Sequence, residues 1–115
     1  MSGYSPQSFV STSRSLRALA HENRLRILHW LADPERHFPP QVDGDLLNDG
    51  VCVGFITEKI ELKQPTVTNH MKILQDAGLV ESKKIKNWVF YKLRKDRVDL
   101  VLGAVCDMTR SRPST

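Results

Sequence analysis

Apolar residues recur at helical spacing in four parts of the 115-residue chain. In the last three parts they return every three or four positions, which places them on one face of a helix, whereas the periodicity of the first part is moderate. Pro34 ends the second part, and Gly78 follows the fourth in the position that commonly ends a helix. The pattern therefore predicts four amphipathic helices, which cover residues 9–20, 24–32, 53–60 and 64–77.

The hydrophobic period changes from helix to strand after Gly78. Residues 80–85 and 88–93 are rich in β-branched and aromatic side chains, with alternate positions on one face. Lys86 and Asn87 separate the two runs, and Asn87 tolerates the left-handed conformation of a tight turn. These residues predict a β-hairpin. A last helix is expected from an N-cap at Asp96 to about residue 108.

The rest of the chain lacks a clear period. Residues 33–50 hold three Pro, two Gly and five acids, which predicts an irregular acidic loop with one turn near residues 45–48. We expect loose tails over residues 1–8 and 110–115, and a single domain over residues 9–109. The predicted fold is mainly α with a small β-hairpin wing, that is, a winged helix-turn-helix.

The helix predicted for residues 64–77 has two distinct faces. Val67, Met71 and Leu74 fall within about 60° of one another on a helical wheel. The opposite face carries short hydrogen-bonding groups and one cation. Such side chains read base edges in the major groove of DNA, which admits one helix. A short helix and a three-residue turn precede this face, as in a helix-turn-helix whose second helix reads the groove.

Charge is distributed unevenly along the chain. The formal net charge is +4, from 17 Lys and Arg against 13 Asp and Glu. Residues 33–61 carry seven acids and two bases, for −5, whereas residues 80–97 carry seven bases and two acids, for +5. A basic hairpin beside the helix-turn-helix indicates a polyanion as the partner, with the hairpin along the flanking phosphates.

Length and composition exclude several classes of protein. A chain of 115 residues is one ordinary domain, so an enzyme with a cleft between two lobes is not expected. We find no phosphate-binding Gly loop and no recognisable nucleophile arrangement, so we expect no catalytic residues. The chain has neither a secretion signal nor an apolar run long enough for a membrane. Two cysteines, Cys52 and Cys106, suit a cytoplasmic location.

Three segments together resemble the ArsR/SmtB family of bacterial winged-helix repressors. They are ALAHENRLRIL at residues 18–28, QPTVTNHMKILQDAGLV at residues 64–80 and WVFYKL at residues 88–93. The resemblance covers roughly residues 16–108, and the second segment is its most specific part. It implies a homodimer that binds a palindromic operator in double-stranded DNA, represses a nearby promoter and is released by an effector.

The resemblance also indicates which residues contact DNA. The base-reading positions of the family fall on Gln64, Thr68, Asn69 and His70, although His70 lies near the apolar edge and an internal hydrogen bond is an equal alternative. Lys63 stands where the family usually has a capping Ser, and the tip of the hairpin lacks the usual Gly. The full predicted DNA-binding set is Lys63, Gln64, Thr66, Thr68, Asn69, His70, Lys72, Lys83, Lys84, Lys86 and Asn87.

The last helix is apolar on two sides. Val98, Val101, Leu102 and Val105 form one stripe, and Leu100, Ala104 and Met108 form a second. A helix that is apolar on two sides is covered on two sides, and in a domain this small the second cover is most simply another copy of the chain. We therefore expect dimerisation through the first and last helices, with burial inside one protomer as the alternative.

The signal that releases DNA is less well defined. Family members that bind soft metals use Cys-Val-Cys at the start of the third helix, where this chain reads Cys52-Val53-Gly54, and the last helix has no His for the family's zinc site. We predict neither metal site and no cofactor. The alternatives are thiol sensing by Cys52 with Cys106, a divalent ion in the acidic loop, or an unknown small molecule. His21 and His29 are expected to be structural.

A second class of function uses the same fold. A winged helix can bind protein or RNA without an operator, because the fold alone does not determine the function. The polar face around Thr68 and Asn69 argues against a protein partner, which is usually bound through exposed apolar anchors.

Overall fold

The computed structural model describes residues 4–111 of the chain. These residues form six helices and a three-stranded antiparallel sheet. In chain order the elements are α1 (Pro6–Leu19), α2 (Glu22–Ala32), α3 (Pro34–His37), β1 (Val51–Cys52), α4 (Val53–Ile60), α5 (Gln64–Asp76), β2 (Val80–Ile85), β3 (Trp88–Leu93) and α6 (Lys95–Met108). The predicted helix-turn-helix and hairpin are confirmed.

The first helix begins earlier than expected. Ser5 is its N-cap, and the hydroxyl of Ser5 accepts a hydrogen bond from the backbone N–H of Ser8. Pro6 follows in the first turn, where its missing N–H leaves no helical bond unmade. Residues 6–8 are therefore helical, and the loose tail predicted for them is wrong. Most of the expected C-terminal tail, residues 112–115, lies outside the described residues.

The last helix also begins at a different residue than expected. Its N-cap position is Arg94, with no side-chain capping bond, and Asp96 lies inside the first turn. The Asp96 carboxylate is 3.5 Å from the Arg94 guanidinium. An acid in the first turn still interacts favourably with the positive end of the helix dipole. Asp96 therefore supports the start of α6 electrostatically, and its predicted role as N-cap is wrong.

The small sheet has β3 at its centre, in the order β1-β3-β2. The hairpin pairs Ile85 with Trp88 across the two-residue turn. The left-handed residue of that turn is Lys86, at φ 56°, and not Asn87 as expected. The two-residue strand β1 was not predicted from the sequence. It adds Val51 opposite Tyr91, on the edge of β3 that faces away from β2.

The core lies where the sheet packs against α2, α4 and α5. Burial of one large aliphatic or aromatic side chain stabilises a fold by about 1.5–3 kcal/mol. The predicted apolar stripe of α5 is buried here together with residues of the sheet. The largest fully buried side chains are Phe90, Ile27, Ile56, Met71, Leu74, Leu79, Val51 and Val67.

The segment between α2 and β1 is more ordered than the predicted irregular loop. It contains α3, the buried side chain of Phe38 and a turn at residues 46–49. That turn was expected, and the Asp45 carboxylate accepts hydrogen bonds from the backbone N–H groups of Leu47 and Asn48. The Gln41 side chain donates to the Gly50 carbonyl at 3.0 Å and accepts from the Cys52 N–H at 2.7 Å. These bonds attach the segment to β1.

Helices α1 and α6 pack against each other at the outside of the domain. Within the described residues α6 has no buried side chain, and Leu100 is 65% exposed. On α1, Phe9 and Val10 are also about half exposed. The radius of gyration is 16.5 Å, with extents of 60 × 24 × 23 Å, against about 13 Å for a compact domain of this length. The chain is therefore more extended than a compact domain of this length, and large apolar side chains of α1 and α6 are exposed.

Gly50 and Gly54 give a matched test of how the loop is held. Gly50 has φ 101°, and a Cβ there would lie 2.4 Å from the Tyr91 carbonyl oxygen. In α4, a Cβ on Gly54 would make ordinary contact, at 3.8 Å from the Cys52 Sγ. We expect Gly50→Ala to lower the free energy of unfolding by at least about 2 kcal/mol. Gly54→Ala should raise it by up to about 1 kcal/mol, because Ala favours a helix.

Urea denaturation followed by circular dichroism measures both changes. If Gly50→Ala were as stable as the parent, the close approach of Gly50 to β3 described above would be wrong.

Candidate nucleic-acid interface

The two helices of the helix-turn-helix are held at a fixed angle by a turn of three residues. Glu61 ends α4 in the left-handed conformation, at φ 60°, and its N–H donates to the Thr57 carbonyl at 3.1 Å. Leu62 packs against the core, and Lys63 begins α5. A left-handed residue turns the chain sharply, so that α5 leaves α4 after very few residues.

The apolar and polar faces of α5 lie where the sequence predicts them. Val67, Met71 and Leu74 are buried against the rest of the domain. Gln64, Thr66, Thr68, Asn69 and Lys72 are all exposed. The exposed set provides amide, hydroxyl and ammonium groups, which are the groups that hydrogen-bond to base edges and phosphates. Burial of one stripe thus directs a polar stripe outward.

The C-terminus of α5 is closed by Gly78. The N–H of Gly78 donates to the Gln75 carbonyl at 2.9 Å, and the N–H of Leu79 donates to the Leu74 carbonyl at 3.0 Å. This pair of bonds is the Schellman motif. Its first donor residue must be left-handed, and Gly78 has φ 76°. The predicted end of the helix is confirmed. The buried Leu79 then leads the chain into β2.

The N-terminus of α5 lacks a side-chain cap. Lys63 occupies the N-cap position and makes no capping bond, as the sequence predicts. A Ser at this position would typically stabilise the helix by about 1 kcal/mol. The Lys63 side chain is instead exposed, beside the positive end of the helix dipole. The exchange puts a cation at an end of the helix that already attracts anions.

His70 lies on the inner side of α5. It is 8% exposed, and its Nδ1 is 3.1 Å from Nη1 of Arg24. An Arg can only donate, so Nδ1 accepts and the proton of the neutral ring is on Nε2. The same Arg24 donates to the Ala18 carbonyl at 2.6 Å, and the ring of His21 is 4.6 Å from that of His70. His70 is therefore buried and internally bonded, which agrees with the alternative that the sequence left open beside a DNA contact.

Burial is the main cause of the shifted pKa of His70. It lowers the pKa of His70 below the ordinary value of 6.5, and the nearby His21 and Arg24 lower that pKa further. The neutral ring is the form that fits beside the Arg24 guanidinium. His70 thus connects α5 to Arg24 of α2 and to His21 in the turn between α1 and α2.

The hairpin presents its lysines to solvent. Lys83, Lys84, Lys86 and Asn87 are all exposed, as expected for a wing that contacts phosphates. The wing is also joined to α5, because the Gln75 side chain donates to the Ser82 hydroxyl at 2.9 Å. The interface is thus one continuous surface of the exposed α5 face and the hairpin.

The comparisons with known proteins agree with this geometry. The family described as "Helix-turn-helix domain" matches residues 19–83. The uncharacterized HTH-type transcriptional regulator YbzH of Bacillus subtilis is 37% identical over 95 residues, which are 83% of this chain and 91% of YbzH. The arsenical resistance operon repressor of the same species is 28% identical over 90 residues, which are 78% of this chain and 72% of that repressor.

A solved structure shows the same arrangement of elements. HlyU from Vibrio cholerae has a TM-score of 0.63 and 26% identity, and the match covers 91% of this chain and 98% of the HlyU chain. The chain belongs to the ArsR family of winged helix-turn-helix transcriptional regulators. The predicted family is confirmed, and the relatives are regulators rather than enzymes.

The two thiols of this ArsR-family regulator lie on different elements. Cys52 ends β1 and is partly buried, whereas Cys106 is exposed on α6, and both are free. Thiol sensing by this pair stays a prediction. Over residues 4–111 no group of three or more His, Cys, Asp or Glu side chains is placed to hold a metal ion. In the same residues no helix is both long and apolar enough to span a bilayer.

Sequence reasoning missed the acidic partners of the wing. The Lys83 ammonium is 2.5 Å from a carboxylate oxygen of Asp49, and the Lys86 ammonium is 2.9 Å from one of Asp43. The charges of −5 and +5 on two segments of the chain were the available signal. The contacts themselves could not be located, because the segment was expected to be irregular.

The buried His70 makes stability depend on pH. Its pKa is below 6.5 in the folded protein, so the unfolded chain binds the proton more tightly. Stability that is fully present above pH 6.5 is lost as the pH falls from there toward the lower pKa of the folded state. We expect the free energy of unfolding to fall between pH 7.5 and 5.5, and to fall less in His70→Gln.

Denaturant titrations at several pH values test this expectation. His29→Gln is the control, because it removes an imidazole from an exposed position of α2. Equal pH dependence in His70→Gln and the parent would contradict a buried neutral imidazole.

Proposed function

We propose that the chain is a homodimeric transcriptional repressor that binds a palindromic operator in double-stranded DNA and is released by an effector. The observation that carries this proposal is the exposed polar face of α5, whose opposite face is buried in the core. In a surface helix that binds no partner, the exposed side chains need only be polar enough to keep the protein in solution. This one instead combines short hydrogen-bonding side chains with a basic hairpin at its flank.

Base readout belongs to three residues in the first half of α5. Gln64, Thr68 and Asn69 are exposed and lie on the outward face of the helix. Amide side chains bind adenine through two hydrogen bonds, and Thr offers both a hydroxyl and a methyl group for thymine. Lys63, Thr66 and Lys72 flank them and are assigned to phosphates or to neighbouring base edges.

The wing supplies contacts that do not depend on sequence. Lys83, Lys84, Lys86 and Asn87 project from the hairpin beside the C-terminus of α5, to which Gln75 and Ser82 join it. Ammonium groups at this position neutralise phosphates along the minor-groove side of the site. Their contribution falls as salt rises, because counterions released from the DNA gain less entropy when the surrounding solution is already rich in ions.

The uncovered face of α1 and α6 supports the homodimer. Leu100 and Leu102, on two sides of α6, are 65% and 49% exposed, and Phe9 and Val10 of α1 are 54% and 50% exposed. Large apolar side chains grouped on adjacent helices are a typical protein interface. A twofold dimer through this face brings two recognition helices to one side, where they read half-sites about 34 Å apart.

Repression and release are the finer parts of the proposal. The arsenical resistance operon repressor is similar to this chain, which supports repression. The effector is a small molecule or an oxidant that acts on Cys52 or Cys106, both of which are free thiols. Free thiols persist in reducing surroundings, so we assign this activity to the cytoplasm.

Base contacts and phosphate contacts are separable by mutation. We expect Asn69→Ala or Thr68→Ala to reduce the preference for the operator over unrelated DNA by about 1–3 kcal/mol, because each removes a base contact. Lys84→Ala should weaken binding to all duplexes alike and flatten the salt dependence by about one counterion. Fluorescence anisotropy with a duplex selected in vitro and a scrambled duplex, over a series of salt concentrations, measures both effects.

The outcome that contradicts the proposal is equally clear. A protein that binds no duplex at low salt, or that binds selected and scrambled duplexes with the same affinity, is not an operator-binding regulator.

The dimer interface is open to the same kind of test. Leu100→Glu places a charge on the exposed face of α6, so we expect it to convert a dimer into a monomer at micromolar protein, as measured by light scattering. Leu47→Glu is the matched control, because Leu47 is 50% exposed but lies in the loop before β1. A parent protein that is itself monomeric under these conditions would overturn the proposed dimer.

A further inference from the structure

Two carboxylates of the segment before β1 lie on the wing. This segment, residues 38–50, is the part of the acidic loop that follows α3. Asp49 accepts from the Lys83 ammonium at 2.5 Å, and Asp43 accepts from the Lys86 ammonium at 2.9 Å. The carboxyl side chains are 19% and 29% exposed, whereas the two lysines are 57% and 70% exposed. The loop therefore places anions on the cations that the wing offers to DNA.

The acidic loop is fastened to the sheet on both sides of Asp43 and Asp49. Gln41 bonds to the backbone of Gly50 and of Cys52. Gly44 lies so close to Phe90 of β3 that a Cβ there would be 2.7 Å from the ring. The carboxylates are thus carried by a segment that is packed against the wing strand, and not by a free chain.

Asp49 is held in a defined position by a second bond. Its other carboxylate oxygen accepts from the Asp45 N–H at 2.7 Å. The bonds from Lys83 and from the Asp45 backbone lower the pKa of Asp49 below its ordinary value, so it stays ionised. The anion is therefore in place before any nucleic acid arrives.

To contact a phosphate, the ammonium group of Lys83 or Lys86 must either break its bond to the carboxylate or bind the carboxylate and the phosphate at the same time. An exposed ion pair is weak, so the carboxylate reduces phosphate binding without preventing it. A lysine that stays paired with Asp neutralises less phosphate charge, so it releases fewer of the counterions condensed on DNA and contributes less to the salt dependence of binding. Lys84 is a natural comparison, because side chains alternate along β2 and Lys84 lies on the opposite face from Lys83.

We propose that Asp43 and Asp49 form an autoinhibitory contact that competes with DNA phosphates for Lys86 and Lys83. The contact limits how tightly the regulator holds bulk DNA of any sequence, and it leaves base readout by α5 untouched. This inference rests on the proposed DNA-binding function.

The test compares charge-matched variants. Asp43→Asn/Asp49→Asn removes both carboxylates, and Asn keeps a carbonyl oxygen to accept from the Asp45 N–H. Glu35→Gln/Glu58→Gln removes the same total charge from two exposed positions of α3 and α4. We expect the Asn variant to bind a scrambled duplex about two- to tenfold more tightly than the control at low salt. Its plot of log K against log salt should be steeper by about one to two.

A double-mutant comparison identifies the lysine. Lys83→Gln should weaken binding more in the Asp49→Asn background than in the parent, because in the parent Lys83 is partly occupied. Lys84→Gln should weaken binding equally in both backgrounds. Circular dichroism confirms that each variant is folded. The inference is overturned if the Asn variant matches the charge control in affinity and slope, or if Lys83→Gln has the same effect in both backgrounds.

Retention on heparin separates this inference from the proposed function. Heparin is a polyanion that the same lysines bind without an operator, so the Asn variant should elute at higher salt than the charge control. Equal elution overturns the autoinhibitory contact whether or not DNA is bound. Later elution of the Asn variant together with no binding to any duplex overturns the proposed function, and the DNA role of the contact with it.

Discussion

The architecture depends on the burial of one stripe of α5. Val67, Met71 and Leu74 are fully buried against the sheet and the neighbouring helices, and their burial determines the rotation of the helix about its axis. Since the polar residues stand opposite that stripe, the rotation also determines which groups face solvent. His70 marks the boundary, because it is on the buried side and needs Arg24 as a partner there. Stability and recognition therefore share a single helix.

The charges of the chain partly neutralise one another in the folded structure. The sequence has a net charge of +4, but the fold brings an acidic segment against a basic one. Two of the wing lysines are therefore paired with acids, whereas Lys84 of the wing and Lys72 of α5 are exposed. Large apolar side chains are exposed on α1 and α6, where a second protomer would cover them.

The sequence predicts the elements whose cause is local. Hydrophobic period, Gly78 and the composition of residues 80–93 were sufficient for the helix-turn-helix and the hairpin. Features that depend on tertiary contact were missed. Strand β1 exists because Val51 pairs with Tyr91, forty residues later in the chain. The burial of His70 depends on Arg24, and the acidic partners of the wing depend on a loop that has no period of its own.

A single residue, Leu79, connects the end of α5 to the start of α6 by hydrogen bonds. Its N–H closes the end of α5 through the Leu74 carbonyl, and its own carbonyl accepts from the N–H of Arg94, where α6 begins. The helix proposed to read DNA and the helix proposed to face a second protomer are thus linked through one buried residue. In the proposed dimer, a small rotation of α6 at the interface would therefore change the separation of the two α5 helices relative to the spacing of the half-sites in DNA.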